Sequence, residues 1–163
     1  MKKVAVVMGS DSDLPVLGPC LETLKNLNIP FEAHVYSAHR CPQETAEFAR
    51  SAAQKGFGVL IGAAGRAAHL AGALAAHSVL PVIGIPVRSG AMAGLDALLS
   101  TAQMPEGIPV ATVAIDGARN AALLAAQILA VEDGEIRQKL LTMREDMRKS
   151  VLEKNGKLEG YEG

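Results

Sequence analysis

Val4-Ala5-Val6-Val7-Met8-Gly9-Ser10-Asp11-Ser12-Asp13, at the head of the chain, decides the fold. Its apolar residues run consecutively with no polar alternation, which describes a strand covered on both faces, as the strands of a parallel sheet are. Gly9 then allows a sharp turn, and Ser-Asp-Ser-Asp is the chemistry of a helix start, so the strand hands over at once to a helix. Val59-Leu60-Ile61 repeats the consecutive pattern, and both segments read as central strands. Working outward, the spacing predicts strands near 3–8, 31–36, 58–62, 81–86 and 109–114. Helices are expected near 13–27, 42–55, 66–77, 93–101 and 117–131. Strict β-α alternation with right-handed crossovers predicts an α/β fold: a three-layer αβα sandwich with a doubly wound parallel sheet in the order 2-1-3-4-5.

A further helix is expected over about 134–155, with Ile136, Leu140, Leu141, Met143, Met147 and Val151 on one stripe. It follows no strand, and it packs either on its own domain or on a neighbouring subunit. The Ala-rich stretch Ala118 to Ala130 offers a second close-packing surface, and the two together favour an oligomer. The tail 156–163 is expected to fray.

At 163 residues the chain fits a single domain, 1–163. Hydrophobic residues make up 49% of it but aromatics only 3%, so the core must be built from Ala, Val, Leu and Ile. A formal charge of -1 argues against a nucleic-acid partner, which needs a basic stripe to neutralise phosphates. No apolar run approaches the roughly 18 residues that span a bilayer, and Met1-Lys2-Lys3 leads straight into a strand, so no membrane partner and a cytoplasmic location are expected. Cys20 and Cys41 have neither metal-ligand spacing nor a disulfide framework. No His-Glu-x-x-His run or Cys/His cluster implies a metal, and the glycine pattern fails the dinucleotide fingerprint.

In a 2-1-3 sheet the loops after strands 1, 2 and 3 meet at the crevice where connections leave toward opposite faces, the place where such folds bind ligands. Gly9, Ser10, Ser12 and Asp13 lie on the first loop; Asp13 either caps the following helix or accepts bonds from ribose hydroxyls. Ser37-Ala38-His39-Arg40 forms the second. Arg40 offers a planar fork suited to phosphate, Ser37 a hydroxyl, and His39 an imidazole that exchanges protons near neutrality. Each residue alone also has an ordinary reading, as a cap, a surface arginine or a solvated histidine; their convergence points to proton chemistry on a phosphorylated small molecule. The third loop carries Ala64, Gly65, Arg66, Ala67, Ala68, His69 and Leu70. His34, within strand 2, and His77, at a helix end, read as structural. Pro86-Val87-Arg88-Ser89-Gly90 and Gln103-Met104-Pro105-Glu106-Gly107 can each close over a ligand or form a subunit contact.

GSDSD, SAHR followed by Pro42, AAHL, PVIGIPV, GLDALLS, QMPEGIPVATVAI and NAALLAAQIL, in unbroken order from about Val4 to Ala130, closely resemble the PurE family of purine biosynthesis. The resemblance implies a flavodoxin-like subunit assembled as a homo-octamer and acting on aminoimidazole ribonucleotides without metal or organic cofactor. It implies either of two activities: a mutase that moves a carboxylate from the exocyclic nitrogen of N5-carboxyaminoimidazole ribonucleotide to ring carbon C4, or a carboxylase that adds CO2 directly to aminoimidazole ribonucleotide. By resemblance, Ser10, Ser37 and Arg40 match phosphate-binding positions, Asp13 the ribose-binding position and His39 the general acid/base. Ala64, Gly65, Ala67, Ala68, His69 and Leu70 match the loop around the imidazole and carboxylate.

The chain departs from the usual mutase pattern at Arg66, where glycine is common, at Ala71, at Cys41 and in the shortened turn Asp116-Gly117-Ala118-Arg119. Ala-Gly-Arg at 64–66 is similar to the carboxylase branch, whereas His69, Pro81 to Val87 and Gln103 to Pro105 are similar to the mutase branch. Arg66 either holds a carboxylate or CO2-derived anion, or pairs with an acidic residue at a subunit surface. The mutase is the leading expectation, the direct carboxylase the second, and a non-catalytic nucleotide-binding module the third, since doubly wound folds host many functions.

Overall fold

A computed structural model describes residues 1–158, 160 and 161. β1 (Lys3–Met8) leads through one 3-10 turn (Asp11–Asp13) into α1 (Leu14–Asn26), followed by β2 (Phe31–Val35), α2 (Pro42–Ser51), β3 (Phe57–Gly65) and α3 (Leu70–His77). Then come β4 (Val82–Val87), α4 (Leu95–Ala102), β5 (Ala111–Thr112), α5 (Ala118–Leu129) and α6 (Gly134–Gly156). All pairings are parallel and the strand order is β2-β1-β3-β4-β5, the doubly wound order expected from the sequence.

The consecutive apolar runs do what their pattern predicts. Val4, Val6 and Met8 of β1 pack with Ile61, Ile83 and Ile85 under α1, α5 and the start of α6. Ala5 and Val7 face the opposite layer with Leu60 of β3, Phe48 of α2 and Leu70 and Leu74 of α3. Small side chains let the helices sit tightly on the sheet: a Cβ added at Gly84 would fall 2.3 Å from Thr101 Cγ2. Truncating a fully buried leucine such as Leu17 or Leu74 is expected to cost about 2–5 kcal/mol.

Three boundaries differ from expectation for local reasons. β5 pairs through two residues only, Ala111 and Thr112, because Pro109 has no N–H to give a ladder at the expected start of the strand. α2 stops at Ser51; the chain tightens at Ala52, whose N–H returns to Ala49 O, and Phe57 N–H closes on Ala52 O at 3.1 Å. α3 starts at Leu70 rather than near 66, because Arg66 stands in the left-handed region at φ 53 and Ala68 N–H donates to the Ser100 side chain.

α6 begins at a strong cap, the Asp133 carboxylate accepting from Glu135 and Ile136 N–H at 3.1 Å each. Of its predicted stripe, Ile136 and Leu140 are buried on this chain's own core, while Leu141, Met147 and Val151 are exposed. The helix ends at Gly156, and of the tail expected to fray, residues 159, 162 and 163 lie outside the described residues. No helix among the described residues is long and apolar enough to cross a membrane.

Candidate active site

β1 sends its chain to α1 on one face of the sheet and β3 sends its chain to α3 on the other, so the connections part above the carboxyl ends of these neighbouring strands. A cleft of about 350 Å³ opens there, bordered by the loops after β1, β2, β3 and β4.

The first loop is self-capped. Ser10 Oγ accepts from Ser12 N–H at 3.3 Å and from Ser12 Oγ–H at 2.9 Å, and the Asp13 carboxylate accepts from Ser10 N–H at 3.2 Å. This reciprocal pair is a capping box. The expectation that Asp13 caps the following helix is therefore corrected: its side chain makes no cap bond to α1 and reaches back to Ser10 instead. Burial raises the Asp13 carboxyl above its ordinary range; the Ser10 N–H opposes the rise and Asp11 adds to it. Gly9, Ser10, Ser12 and Asp13 all border the cleft.

Tyr36 N–H donates to Met8 O at 3.0 Å, which carries the β1–β2 ladder one residue past the strand and fixes where the second loop starts. Cys41 clamps that loop: its Sγ accepts from Ser37 N–H at 3.0 Å, and its backbone N–H donates to Ser37 O at 2.8 Å. Ser37 Oγ accepts from Arg40 N–H at 3.2 Å. Among the described residues the Arg40 guanidinium has no hydrogen bond or ion pair, and the residue borders the cleft with its fork unengaged. Ser37, Ala38, His39 and Arg40 border the cleft.

The third loop brings His69, the N-cap residue of α3, against His39. His39 Nε2 and His69 Nδ1 are 2.6 Å apart, and the rings meet edge to face at 77° with centroids 4.8 Å apart. The two nitrogens form a hydrogen bond across the cleft, its donor and acceptor set by which ring nitrogens carry hydrogen. Ala64, Gly65, Arg66, Ala67 and Leu70 also border the cleft. Ala68 lies behind that border: it is buried, and its N–H donates to Ser100 Oγ at 3.0 Å, which anchors the loop.

Ser89 borders the cleft from the loop after β4; its segment, Pro86 to Gly90, is expected from the sequence to close over a ligand or form a subunit contact, without Ser89 itself standing out as a site residue. The signal was the strand order, since β4 lies next to β3 and ends at the same crevice. His34 lies apart, stacked on Tyr36 and 3.3 Å from Glu32 Oε2, and His77 sits near Arg50. Burial pushes the Cys20 thiol up to about 12, which makes it an inert core group. No cluster of three His, Cys, Asp or Glu residues that could hold a metal ion occurs among the described residues.

Comparison with known proteins places this geometry. The sequence model of the AIR carboxylase family matches residues 3–150. A protein of Pyrococcus abyssi named N5-carboxyaminoimidazole ribonucleotide mutase is 54% identical over 149 residues, 91% of this chain and 86% of that protein. One of the same name from Thermotoga maritima is 48% identical over 163 residues, 99% of this chain and 95% of that protein. The crystal structure of Treponema denticola PurE superimposes with a TM-score of 0.85 at 29% identity, covering 95% of this chain and 97% of that one. With a matching family model over nearly its whole length and the matching fold beneath it, this chain belongs to the AIR carboxylase family.

Proposed function

We propose that the chain is an N5-carboxyaminoimidazole ribonucleotide mutase of purine biosynthesis, an isomerase that gives 4-carboxyaminoimidazole ribonucleotide. Relatives carrying that name match more than nine-tenths of the chain. The observation that carries the reading is the His39–His69 contact of 2.6 Å in a cleft that also presents an unengaged Arg40. Arg40, Ser37 and Ser10 take the 5′-phosphate, a guanidinium fork and two hydroxyls matching its oxygens. Asp13 accepts from the ribose hydroxyls, and the loop from Ala64 to Leu70 surrounds the heterocycle, with Ala68 supporting it from behind.

The chemistry then needs one proton moved twice. His39 protonates the exocyclic nitrogen, the N–C bond breaks, and CO2 and aminoimidazole ribonucleotide form side by side. The nucleotide's C4 attacks CO2, making the C–C bond, and the proton on C4 passes to the now neutral imidazole, restoring the aromatic ring. His39 ends as it began, and His69 holds it in position and shares its proton. The small side chains of Ala64 and Ala67 leave room for CO2 while keeping bulk water off it.

In this reading residues 1–163 form one domain and act as a homo-octamer in the cytoplasm. The exposed Met147, Val151 and Leu152 of α6 and Leu95 and Leu99 of α4 support assembly, since a lone subunit leaves them in water. Purified protein incubated with N5-carboxyaminoimidazole ribonucleotide at low bicarbonate is expected to yield 4-carboxyaminoimidazole ribonucleotide. Product only from aminoimidazole ribonucleotide and high bicarbonate would make it the direct carboxylase, and binding without turnover a nucleotide-binding module.

A further inference from the structure

The cleft wall made by the loops after β3 and β4 has features that a phosphate site on the β2 side does not use. Arg66 borders the cleft, yet among the described residues its guanidinium has no hydrogen bond or ion pair. Its backbone is held at φ 53, a conformation side chains avoid, so the surrounding structure imposes it. Ser100 Oγ, with one proton to give, lies 3.2 Å from Arg66 O and accepts from Ala68 N–H, tying this loop to α4. The guanidinium stem lies over Gly90, where an added Cβ would come within 3.5 Å of Arg66 Nε. Beside it, Ser89 Oγ is buried with no partner, tucked behind Gly65 so closely that a Cβ there would sit 2.4 Å away. Asp116 fixes the loop that carries Ser89, accepting from Arg88 N–H at 2.8 Å and pairing with its side chain at 3.5 Å.

This wall of the cleft therefore holds a free cation and, just behind its surface, an unsatisfied hydroxyl, each on a loop anchored from outside. Arg40 enters from the loop after β2, two strands from β3 and three from β4. At about 4.8 Å per strand the attachment points stand roughly 10–14 Å apart, so the two cations enter the cleft from different walls, an arrangement suited to the two ends of a nucleotide. With Asp13 the only carboxylate bordering the cleft among the described residues and two arginines there, the charge favours a ligand with a second anionic group.

We infer that Arg66 and Ser89 form a second anion subsite that holds the migrating carboxylate of the substrate, and that this subsite makes the enzyme prefer carboxylated over uncarboxylated aminoimidazole ribonucleotide. The inference rests on the mutase reading. Arg66 supplies a bidentate fork, and Ser89 donates its hydroxyl proton after a rotamer step about Cα–Cβ. The subsite holds the carboxylate in product as it does in substrate, so binding of the product reports on it.

Calorimetric titration of the wild type, Arg66→Gln, Arg66→Gly and Ser89→Ala with 4-carboxyaminoimidazole ribonucleotide and with aminoimidazole ribonucleotide tests it. Both Arg66 variants are expected to lose on the order of 10- to 100-fold in affinity for the carboxylated nucleotide and less than about 3-fold for the other. Glycine is at ease at φ 53, so the second variant keeps the fold while removing the charge. Ser89→Ala is expected to show a smaller loss of the same selectivity. Equal weakening of both nucleotides, or no change in either, would overturn the subsite alone. A wild type that binds neither nucleotide would overturn the mutase reading and the subsite with it.

Discussion

The loop after β1 and the wall built by the loops after β3 and β4 border the same cleft but are stabilised in opposite ways. The first satisfies itself: Ser10, Ser12 and Asp13 exchange bonds within four residues. The second is held from elsewhere, by Ser100 of α4 and by Asp116 before α5, while Arg66 and Ser89 keep unused bonding capacity. A self-capped loop can fold locally and needs no ligand. A wall with an unpartnered cation and hydroxyl depends on its anchors, and it is completed by what binds. Between them stands the short contact of His39 and His69, contributed by the loops after β2 and β3.

The largest effect should come from breaking that central pair. His39→Asn is expected to lower kcat by about 10²–10⁴, the range of a general acid/base, with a small change in KM. Turnover close to wild type would remove His39 from the chemistry. The next tests the anchored wall. Ser100→Ala leaves Ala68 N–H without its acceptor, and a loss of about 1–3 kcal/mol in urea unfolding is expected, together with slower turnover as the Arg66–His69 segment loosens. Unchanged stability would mean that the wall holds itself as the first loop does.

The smallest effect belongs to the self-capped loop. Because burial raises the Asp13 carboxyl, folding favours its protonated form. That stabilisation is fully present below the ordinary value of 3.8 and is lost as pH rises through the raised folded value, so at pH 7 the ionised group is a net cost. Asp13→Asn keeps an oxygen to accept from Ser10 N–H and is expected to stabilise the protein at pH 7, by less than about 1 kcal/mol because the site is partly solvated. The gain should fade as pH drops toward 4. A destabilised variant at pH 7 would show that the charge itself holds the loop.

Much of this was legible in the sequence, for physical reasons. Consecutive apolar residues at Val4–Val7 and Val59–Ile61 can only suit strands buried on both sides, and that pattern gives the sheet its centre. Strand order then brings the loops with Gly9–Asp13, Ser37–Arg40 and Ala64–Leu70 to one cleft. What the sequence hid depends on partners distant along the chain. Ala68 is held in the loop's anchor because Ser100, 32 residues on, accepts its N–H. Ser89 becomes a cleft residue only because β4 ends beside β3, and the capping of Asp13 onto Ser10 looks the same in sequence as a cap on α1. The apolar stripe of α6 divides where the subunit's own core ends, beyond Met143, which still packs against it half-buried while Met147 and Val151 are exposed, a limit no periodicity reveals.

The most direct measurement is a crystal structure of the protein with 4-carboxyaminoimidazole ribonucleotide bound. The phosphate is expected on Arg40, with ring carbon C4 within about 3–3.5 Å of the His39 imidazole, near enough for proton transfer. A nucleotide seated outside the cleft, or a His39 ring turned away beyond the reach of one bridging water, would contradict the account.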